Sequence, residues 1–371
     1  MKGLAITSKG LEDTACREIN ELTGSKCKKE EACVIFEFKK FENLCLLCYK
    51  AQSVDRILHL IDSFEFKDLD DITKSIKKSS FGDFGKYSNF RVECIRIGEH
   101  GFKSIDVEEN ASKIILDNAK NSKINFKNPD AVFFLYIINS KCYFGIDFSG
   151  FELNKREYKI FLHPGSLRGT IAYALIREAG FDGRGILLDP FSRDGVIAIE
   201  SAFLASGFPV NYFKKEKFAF LKLELGIDCE KFFNNADKKI KKSPAGIYSF
   251  DHLFKYVDFS KKNAKIAGVD KQINFSRREL EWLDIKFKKN SVDFIITNPP
   301  SSKNANLDKI YNELFYQCEY ILKSSGAVAL ITRIPDFVIK HAEQHNFAVL
   351  KEKDVWSGEQ LLKIIALKKK K

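Results

Sequence analysis

Asp293-Phe294-Ile295-Ile296-Thr297-Asn298-Pro299-Pro300-Ser301 is an apolar run stopped by a turn that cannot prolong it. Val292–Thr297 has the length and β-branched content of a buried strand, and neither proline after it can donate to a sheet. Pro299 and Pro300 also fix the backbone. Carbonyls and the Asn298 amide oxygen are left as acceptors at one strand end. Such a cluster suits an exocyclic amino group, because donated hydrogen bonds orient the nitrogen lone pair towards an electrophile.

The flanking sequence keeps one rhythm. Downstream, Leu307–Lys323 reads as a helix, Ala327–Thr332 as a strand, Asp336–His345 as a helix and Leu361–Leu367 as a closing strand. Upstream, strand Gly185–Leu188 precedes helix Gly195–Ser206, and strand Gly246–Phe250 precedes helix Leu253–Ala267. Strands alternating with helices of about ten or more residues imply an α/β fold with a parallel, doubly wound sheet. Phe208–Lys242, rich in Phe and Lys, interrupts the rhythm as an insertion.

Ligands in such sheets bind outside the carboxyl ends of the strands, and three more motifs fall there. Asp189-Pro190-Phe191-Ser192-Arg193-Asp194-Gly195 runs from an acid at a strand end into a helix start, where free amides suit an anionic group. Asp251, followed by His252, ends the next strand. Its two carboxylate oxygens suit a ribose diol, and the same residue also suits a helix cap. Glu279 and Leu280 lie in a charged stretch, Phe275–Leu280, where an acid suits an adenine amino group and an ordinary loop fits as well.

The first half reads as two smaller α+β units. Lys2–Ser8 and Cys33–Phe38 are strands; Gly10–Leu22 and Leu44–Ile61 have helical spacing. Further on, Phe90–Ile97 is a strand and His100–Ser104 a loop. Ser104–Lys120 is a helix with acids in its first turn. Ala131–Ile138 and Lys141–Phe148 form a hairpin about Asn139-Ser140.

Composition narrows the class. The 371 residues are 44% hydrophobic and include 34 Phe, which is ample for sizeable cores and excludes a disordered chain. Lys+Arg minus Asp+Glu is 61 − 50 = +11, so a polyanion is the expected partner, nucleic acid before membrane. No apolar run of about 18 residues or signal-peptide core is present. Cys45 and Cys48 form the only CxxC of the sequence, with no second pair or His partner beside it, so no metal is expected. The nine cysteines are scattered, which fits a cytoplasmic protein with reduced thiols.

Asn298-Pro299-Pro300 resembles the (Asp/Asn)-Pro-Pro-(Tyr/Phe) motif of S-adenosylmethionine-dependent amino-methyltransferases. His163-Pro164-Gly165-Ser166-Leu167, through Asp189-Pro190-Phe191 to Glu200, resembles archaeal and bacterial RNA methyltransferases that carry a THUMP domain. Phe90-Arg91-Val92, Arg96, Phe102-Lys103-Ser104, Asn128-Pro129-Asp130 and Gly145–Gly150 are similar to THUMP itself, and Thr7–Asn20 to the ferredoxin-like domain that precedes it.

The resemblance implies four regions. These are a ferredoxin-like domain at 1–65, THUMP at 66–150, a linker at 151–165, and a Rossmann-like class I methyltransferase domain at 166–371. The last would hold a mostly parallel seven-stranded sheet, with the insertion at about 208–242. Ser166, Asp189, Pro190, Phe191, Ser192, Gly195, Asp251, His252, Glu279, Leu280 and Asn298 would hold S-adenosylmethionine. Asn298, Pro299, Pro300 and Ser301 would present the target amine, a guanine N2 in tRNA at position 6 or 10. Arg91, Arg96, Lys103 and Ser104 would serve the THUMP half in gripping the acceptor stem and 3′ end of the tRNA. The resemblance requires no protein partner and implies no membrane.

Two departures stand out. The cofactor loop of the family usually reads Asp-Pro-x-Cys-Gly-Ser-Gly-Thr, and here Arg193 replaces its first Gly and Asp194 its Ser. Ser301 replaces the motif's aromatic residue, on which a flipped base normally stacks for about 1–3 kcal/mol. These departures keep a non-catalytic tRNA-binding protein in view, and the Asn-Pro-Pro motif keeps a DNA amino-methyltransferase in view.

Overall fold

The computed structural model describes residues 1–81, 87–118, 122–302 and 306–370. In chain order, the first half contains β1 (Lys2–Ile6), α1 (Glu12–Thr23), β2 (Cys27–Glu30), β3 (Cys33–Glu37), α2 (Glu42–Lys50) and β4 (Arg56–Glu65). It continues with α3 (Leu69–Lys78), β5 (Asn89–Ile97), α4 (Ser104–Asn118), β6 (Lys123–Ile124), β7 (Ala131–Ile138) and β8 (Lys141–Asp147). These strands form one sheet in the order β2-β3-β1-β4-β8-β7-β5-β6. β4 pairs with β1 on one side and β8 on the other, so the sheet runs unbroken across residue 65. The expected Asn139-Ser140 turn joins β7 to β8, with Asn139 in the left-handed region at φ 51°.

The helix expected over Leu44–Ile61 is two elements. α2 stops at Lys50, Ala51 turns extended, and the chain enters β4 at Arg56. The apolar run Ile57-Leu58-His59-Leu60-Ile61 suits either period, and pairing with β1 and β8 decides for the strand. The last residues of the helix expected over 104–120 lie outside the described residues.

The second half contains α5 (Gly169–Glu178), β9 (Ile186–Asp189), α6 (Val196–Ser206), α7 (Cys229–Asp237), β10 (Gly246–Asp251), α8 (Phe254–Ala267) and β11 (Ile273–Arg277). After these come α9 (Leu283–Lys286), β12 (Val292–Thr297), α10 (Leu307–Ile321), β13 (Leu322–Thr332), α11 (Pro335–Gln344), β14 (Phe347–Ser357) and β15 (Gln360–Lys369). The sheet order is β11-β10-β9-β12-β13-β15-β14. The first five strands are parallel, and β15 is antiparallel to both its neighbours. Two strands of this sheet were not expected: the edge strand β11, which overlaps the stretch read as a charged loop, and β14, whose middle is exposed.

Alternation along the strands explains helices on both sheet faces. Leu187, Ile247, Ile296 and Ala329 join one core cluster with residues of α5, α6 and α8; Leu188, Phe250, Ile295 and Val328 join the other with α10 and α11. α6 is buried on nearly every side, as its uniformly apolar sequence requires. The chain builds outward from β9 to β11, then returns to β12 on the other side of β9. That reversal makes the carboxyl ends of β9 and β12 the ligand crevice of this architecture.

The chain divides into two compact units that are discontinuous in sequence. One holds Met1–Thr7, Ala15–Leu153 and Asn211–Asn235; the other holds Ser8–Thr14, Asn154–Val210 and Ala236–Lys371. Most of the expected insertion therefore packs within the first unit. Phe218 lies against Tyr49 and Phe151, with ring centroids 6.3 and 5.4 Å away. Asn211 donates from its side chain to the Cys48 carbonyl at 2.8 Å.

Candidate active site

The sheet of the second unit brings three strand ends to one crevice. Asp189 ends β9, Asp251 ends β10, and Asn298 follows β12. A cavity of about 550 Å³ opens there, lined among others by His163, Gly165, Ser166, Phe191, Arg193, Asp251, His252, Asn298, Pro300 and Ser301.

Asp189 is buried. Its Oδ1 accepts from the Thr297 hydroxyl at 2.6 Å and the Phe191 amide at 3.2 Å. Its Oδ2 is buried with no hydrogen-bond partner among the described residues. Burial pushes this carboxyl up to about 7, against the pull of Thr297 and the Phe191 amide. Asp251 accepts the Arg193 and Leu253 amides, both at 3.0 Å, and burial again raises its carboxyl. Ser192 donates its amide to the Phe250 carbonyl at 2.8 Å, so the loop after β9 is fastened along the end of β10.

Gly195 starts α6 with φ 81°, a left-handed conformation that glycine adopts at no steric cost. Asp194 is buried just before it. Burial raises its carboxyl, opposed by the Ser166 hydroxyl, by Lys159 and by the His163 backbone.

Arg193 also has φ 54°, a conformation that costs an L-residue roughly 1–2 kcal/mol. This is where the resembled loop has glycine. The side chain crosses the cavity: Nη1 donates to the Gly165 carbonyl at 2.6 Å and Nη2 to the Pro299 carbonyl at 3.1 Å. A Cβ at Gly165 would collide with Nη1. Burial lowers the guanidinium's pKa, while the carboxylates Asp189, Asp194 and Asp251 raise it.

Asn298 donates its Nδ2 to the same Gly165 carbonyl at 3.0 Å. With the nitrogen so engaged, Oδ1 is the acceptor the side chain has left. Pro299 is buried, and Pro300 accepts from the Tyr311 hydroxyl at 3.1 Å. His163 accepts the Gly165 amide on Nδ1 at 2.8 Å and packs edge-on against Tyr256. Burial, helped by Arg193 and Lys255, holds His163 down to about 4, so it is neutral at physiological pH.

Not every expected residue reaches the cavity wall. Leu280 packs against a core cluster, and Glu279 faces Arg277 at 3.8 Å. Asp189, Pro190, Ser192, Gly195 and Pro299 are buried and lie beneath the residues that line the cavity. Sequence reasoning missed Thr297, Tyr311, Thr332, Arg333 and Gln360. Thr297 carried a signal, being the last strand residue before the Asn-Pro-Pro turn. Arg333 and Gln360 meet only through the β13–β15 pairing, at 2.6 Å.

In the first unit, the four residues expected to meet RNA differ in engagement. Arg91 is ion-paired with Glu93 and donates to the Phe126 carbonyl at 3.2 Å. Arg96 contacts His100 Nδ1 at 2.9 Å and lies over Phe102. Lys103 is exposed, and Ser104 begins α4.

The residues fit the cofactor expected from the sequence. An open oxygen on a buried carboxylate is rare and suits a ligand ammonium group. Asp251 keeps lone pairs for a diol, and Phe191 offers an apolar wall. Among the described residues, no helix is long and apolar enough to cross a membrane.

Comparisons with known proteins agree with this geometry. A THUMP domain model matches residues 65–147. The tRNA (guanine(6)-N2)-methyltransferase of Methanocaldococcus jannaschii is 29% identical, with 97% of this chain and 98% of that protein covered. The protein of the same name from Archaeoglobus fulgidus is 26% identical, over 97% and 90%. The crystal structure of SMU.472 complexed with SAH superposes with TM-score 0.82 at 18% identity, covering 100% of this chain and 98% of that one. The cofactor is S-adenosylmethionine, and the seven-stranded, mostly parallel sheet expected from the sequence is present. The model of the RMKL-like methyltransferase domain matches residues 156–363, more than half of the chain, and the chain belongs to that family.

Proposed function

We propose that this chain is an S-adenosylmethionine-dependent tRNA methyltransferase acting on the exocyclic N2 of a guanine, and that the guanine is at position 6. The observation that carries the reading is the fixed acceptor pair at the end of β12. Asn298 spends its nitrogen on Gly165, which leaves its Oδ1 as an acceptor, and the next residue contributes the Pro299 carbonyl. Two acceptors on neighbouring residues match the two N–H bonds of an aromatic amine. Position 6 rather than 10 is favoured by the two archaeal relatives, whose names specify it and whose chains align over nearly all of this one.

The cofactor, when bound, supplies an electrophilic methyl group. Asp189 Oδ2 would pair with its ammonium group, Asp251 with its ribose, and Ser166, Phe191 and His252 would complete the wall. Asn298 and Pro299 would orient the amine, and proximity would supply most of the acceleration. His163 is neutral and its Nδ1 is occupied, so it adds no charge to the centre. Extracting the guanine from its stack costs a few kcal/mol. The THUMP half would bind the acceptor stem and 3′ end, and the cytoplasm is the proposed place of action.

The test is methylation of tRNA transcripts with labelled cofactor, followed by nuclease mapping. A single N2-methylguanine at position 6 is expected. Methylation at 10 would correct the position. Failure to bind cofactor, in a folded protein that still binds tRNA, would favour the non-catalytic reading. Arg193, which crosses the cavity, is the observation on that side.

A further inference from the structure

The resembled loop has glycine where this chain has Arg193, and the structure gives the arginine two partners that glycine cannot hold. Its guanidinium joins two loops. Nη1 meets the Gly165 carbonyl, in the turn that enters the catalytic unit's first helix; Nη2 meets the Pro299 carbonyl, in the turn after β12. The Gly165 carbonyl is shared, because Asn298 Nδ2 also donates to it. One carbonyl thus ties the arginine to the asparagine, and one guanidinium ties both to the proline. No carboxylate among the described residues lies within ion-pair distance of Arg193, so two neutral carbonyls are its partners. The backbone at Arg193 is left-handed, with φ 54°.

We propose that Arg193 is a positioning residue for methyl transfer: it clasps the Gly165 and Pro299 turns together, so that the Asn298 and Pro299 acceptors are set before the amine arrives. The inference rests on the reading of Asn298 and Pro299 as the amine's acceptors. A carbonyl oxygen accepts two hydrogen bonds, so Pro299 keeps a lone pair for the amine while Arg193 occupies the other. A planar fork of donors spans two carbonyls at once, which an ammonium on a flexible stem does poorly. Gly165 is part of the same device, since any side chain there would strike the guanidinium.

The experiment compares the full chain with Arg193→Gly and Arg193→Lys. In Arg193→Gly, kcat is expected to fall roughly ten- to hundredfold, the range for a misplaced reacting group. The cofactor dissociation constant, read by titration calorimetry, and the KM for tRNA should change little. Millimolar ethylguanidinium should restore part of kcat and ethylammonium should not, a rescue that a general loss of packing would not give. Arg193→Lys should fall between, and serves alone if the glycine variant does not fold. Hydrogen exchange at Gly165–Leu167 and Ser301–Ser302 should quicken in both variants.

Wild-type kcat in Arg193→Gly overturns the proposal. So does a loss of cofactor affinity equal to the loss of kcat, which would make Arg193 a cofactor ligand. If the parent chain itself methylates no tRNA, the functional reading fails. The exchange comparison then decides the clasp by itself: unchanged exchange overturns it, and quickened exchange upholds it.

Discussion

The Thr297 hydroxyl donates to Asp189 Oδ1 at 2.6 Å, linking the last residues of the two strands where the sheet order reverses. β9 and β12 are paired through Leu187–Phe294 and Leu188–Ile295, so the ladder delivers both residues to the same end. The bond satisfies one oxygen of a buried carboxyl and leaves the other open.

Asp189 titrates near 7 in the folded protein and near 4 when unfolded. Between those values the folded state holds a proton the unfolded state lacks, so this group's contribution to stability is highest below about pH 4 and falls as pH rises to about 7. Asp189→Asn removes that fall. Its melting temperature relative to the parent should therefore rise from pH 4 to pH 8, while cofactor binding weakens at least about tenfold through loss of a charge-assisted bond. Parallel melting curves and calorimetry check both halves.

Thr297→Val removes the hydroxyl that holds Asp189 down. The carboxyl should titrate higher, and the pH at which cofactor affinity is half-maximal should move up with it. A binding titration across pH 6 to 9 measures the midpoint in both proteins. An unmoved midpoint would separate Asp189 from cofactor binding.

Asn298→Ala takes away Oδ1 and leaves the Gly165 carbonyl with Arg193 as its one side-chain donor. Turnover should drop by about 10²-fold or more, with cofactor and tRNA binding retained. Single-turnover kinetics on bound complexes read the transfer step directly, and near-normal turnover would remove Asn298 from the reaction.

Glu200 is fully buried, accepts Arg156 Nε at 2.7 Å and Tyr158 at 2.7 Å, and fixes the segment before α5 onto α6. Glu200→Ala leaves the buried guanidinium without this carboxylate, which typically costs about 3–5 kcal/mol. Denaturant unfolding should show a lowered midpoint at unchanged slope.

Salt titration of tRNA binding separates the basic residues of the first unit. Lys103 is exposed, and Lys103→Ala should lower the salt slope by about one. Arg91 is already paired with Glu93, so Arg91→Ala should change the slope less.

What the sequence carried clearly was the strand ends. Asp189, Asp251 and Thr297-Asn298 each close an apolar run at a polar residue or a proline, and each sits at the crevice. Three things were hidden. The run Ile57–Ile61 fits a helix or a strand, and only partners on both sides decide. β14 exposes most of its middle residues, so its alternation is weak, and it exists through its pairing with β15. Arg193 looked like a flaw in a glycine loop. Its meaning depends on carbonyls at 165 and 299, and no local pattern connects those positions.

The interleaving of the two units bears on the order in which the chain is made. Phe218, Phe220 and Phe233 complete an aromatic cluster around Tyr49, yet they leave the ribosome after α6 of the other unit. In turn, Leu11 belongs to the core of the second unit, where Trp356 donates its amide to the Lys9 carbonyl. The amino-terminal half therefore cannot finish folding when its own sheet has emerged, and must wait with Tyr49 uncovered until residue 235 is out. A fragment ending at 150 should emerge as a sticky, incompletely covered body. The segment 211–235 added in trans is the material that should quiet it.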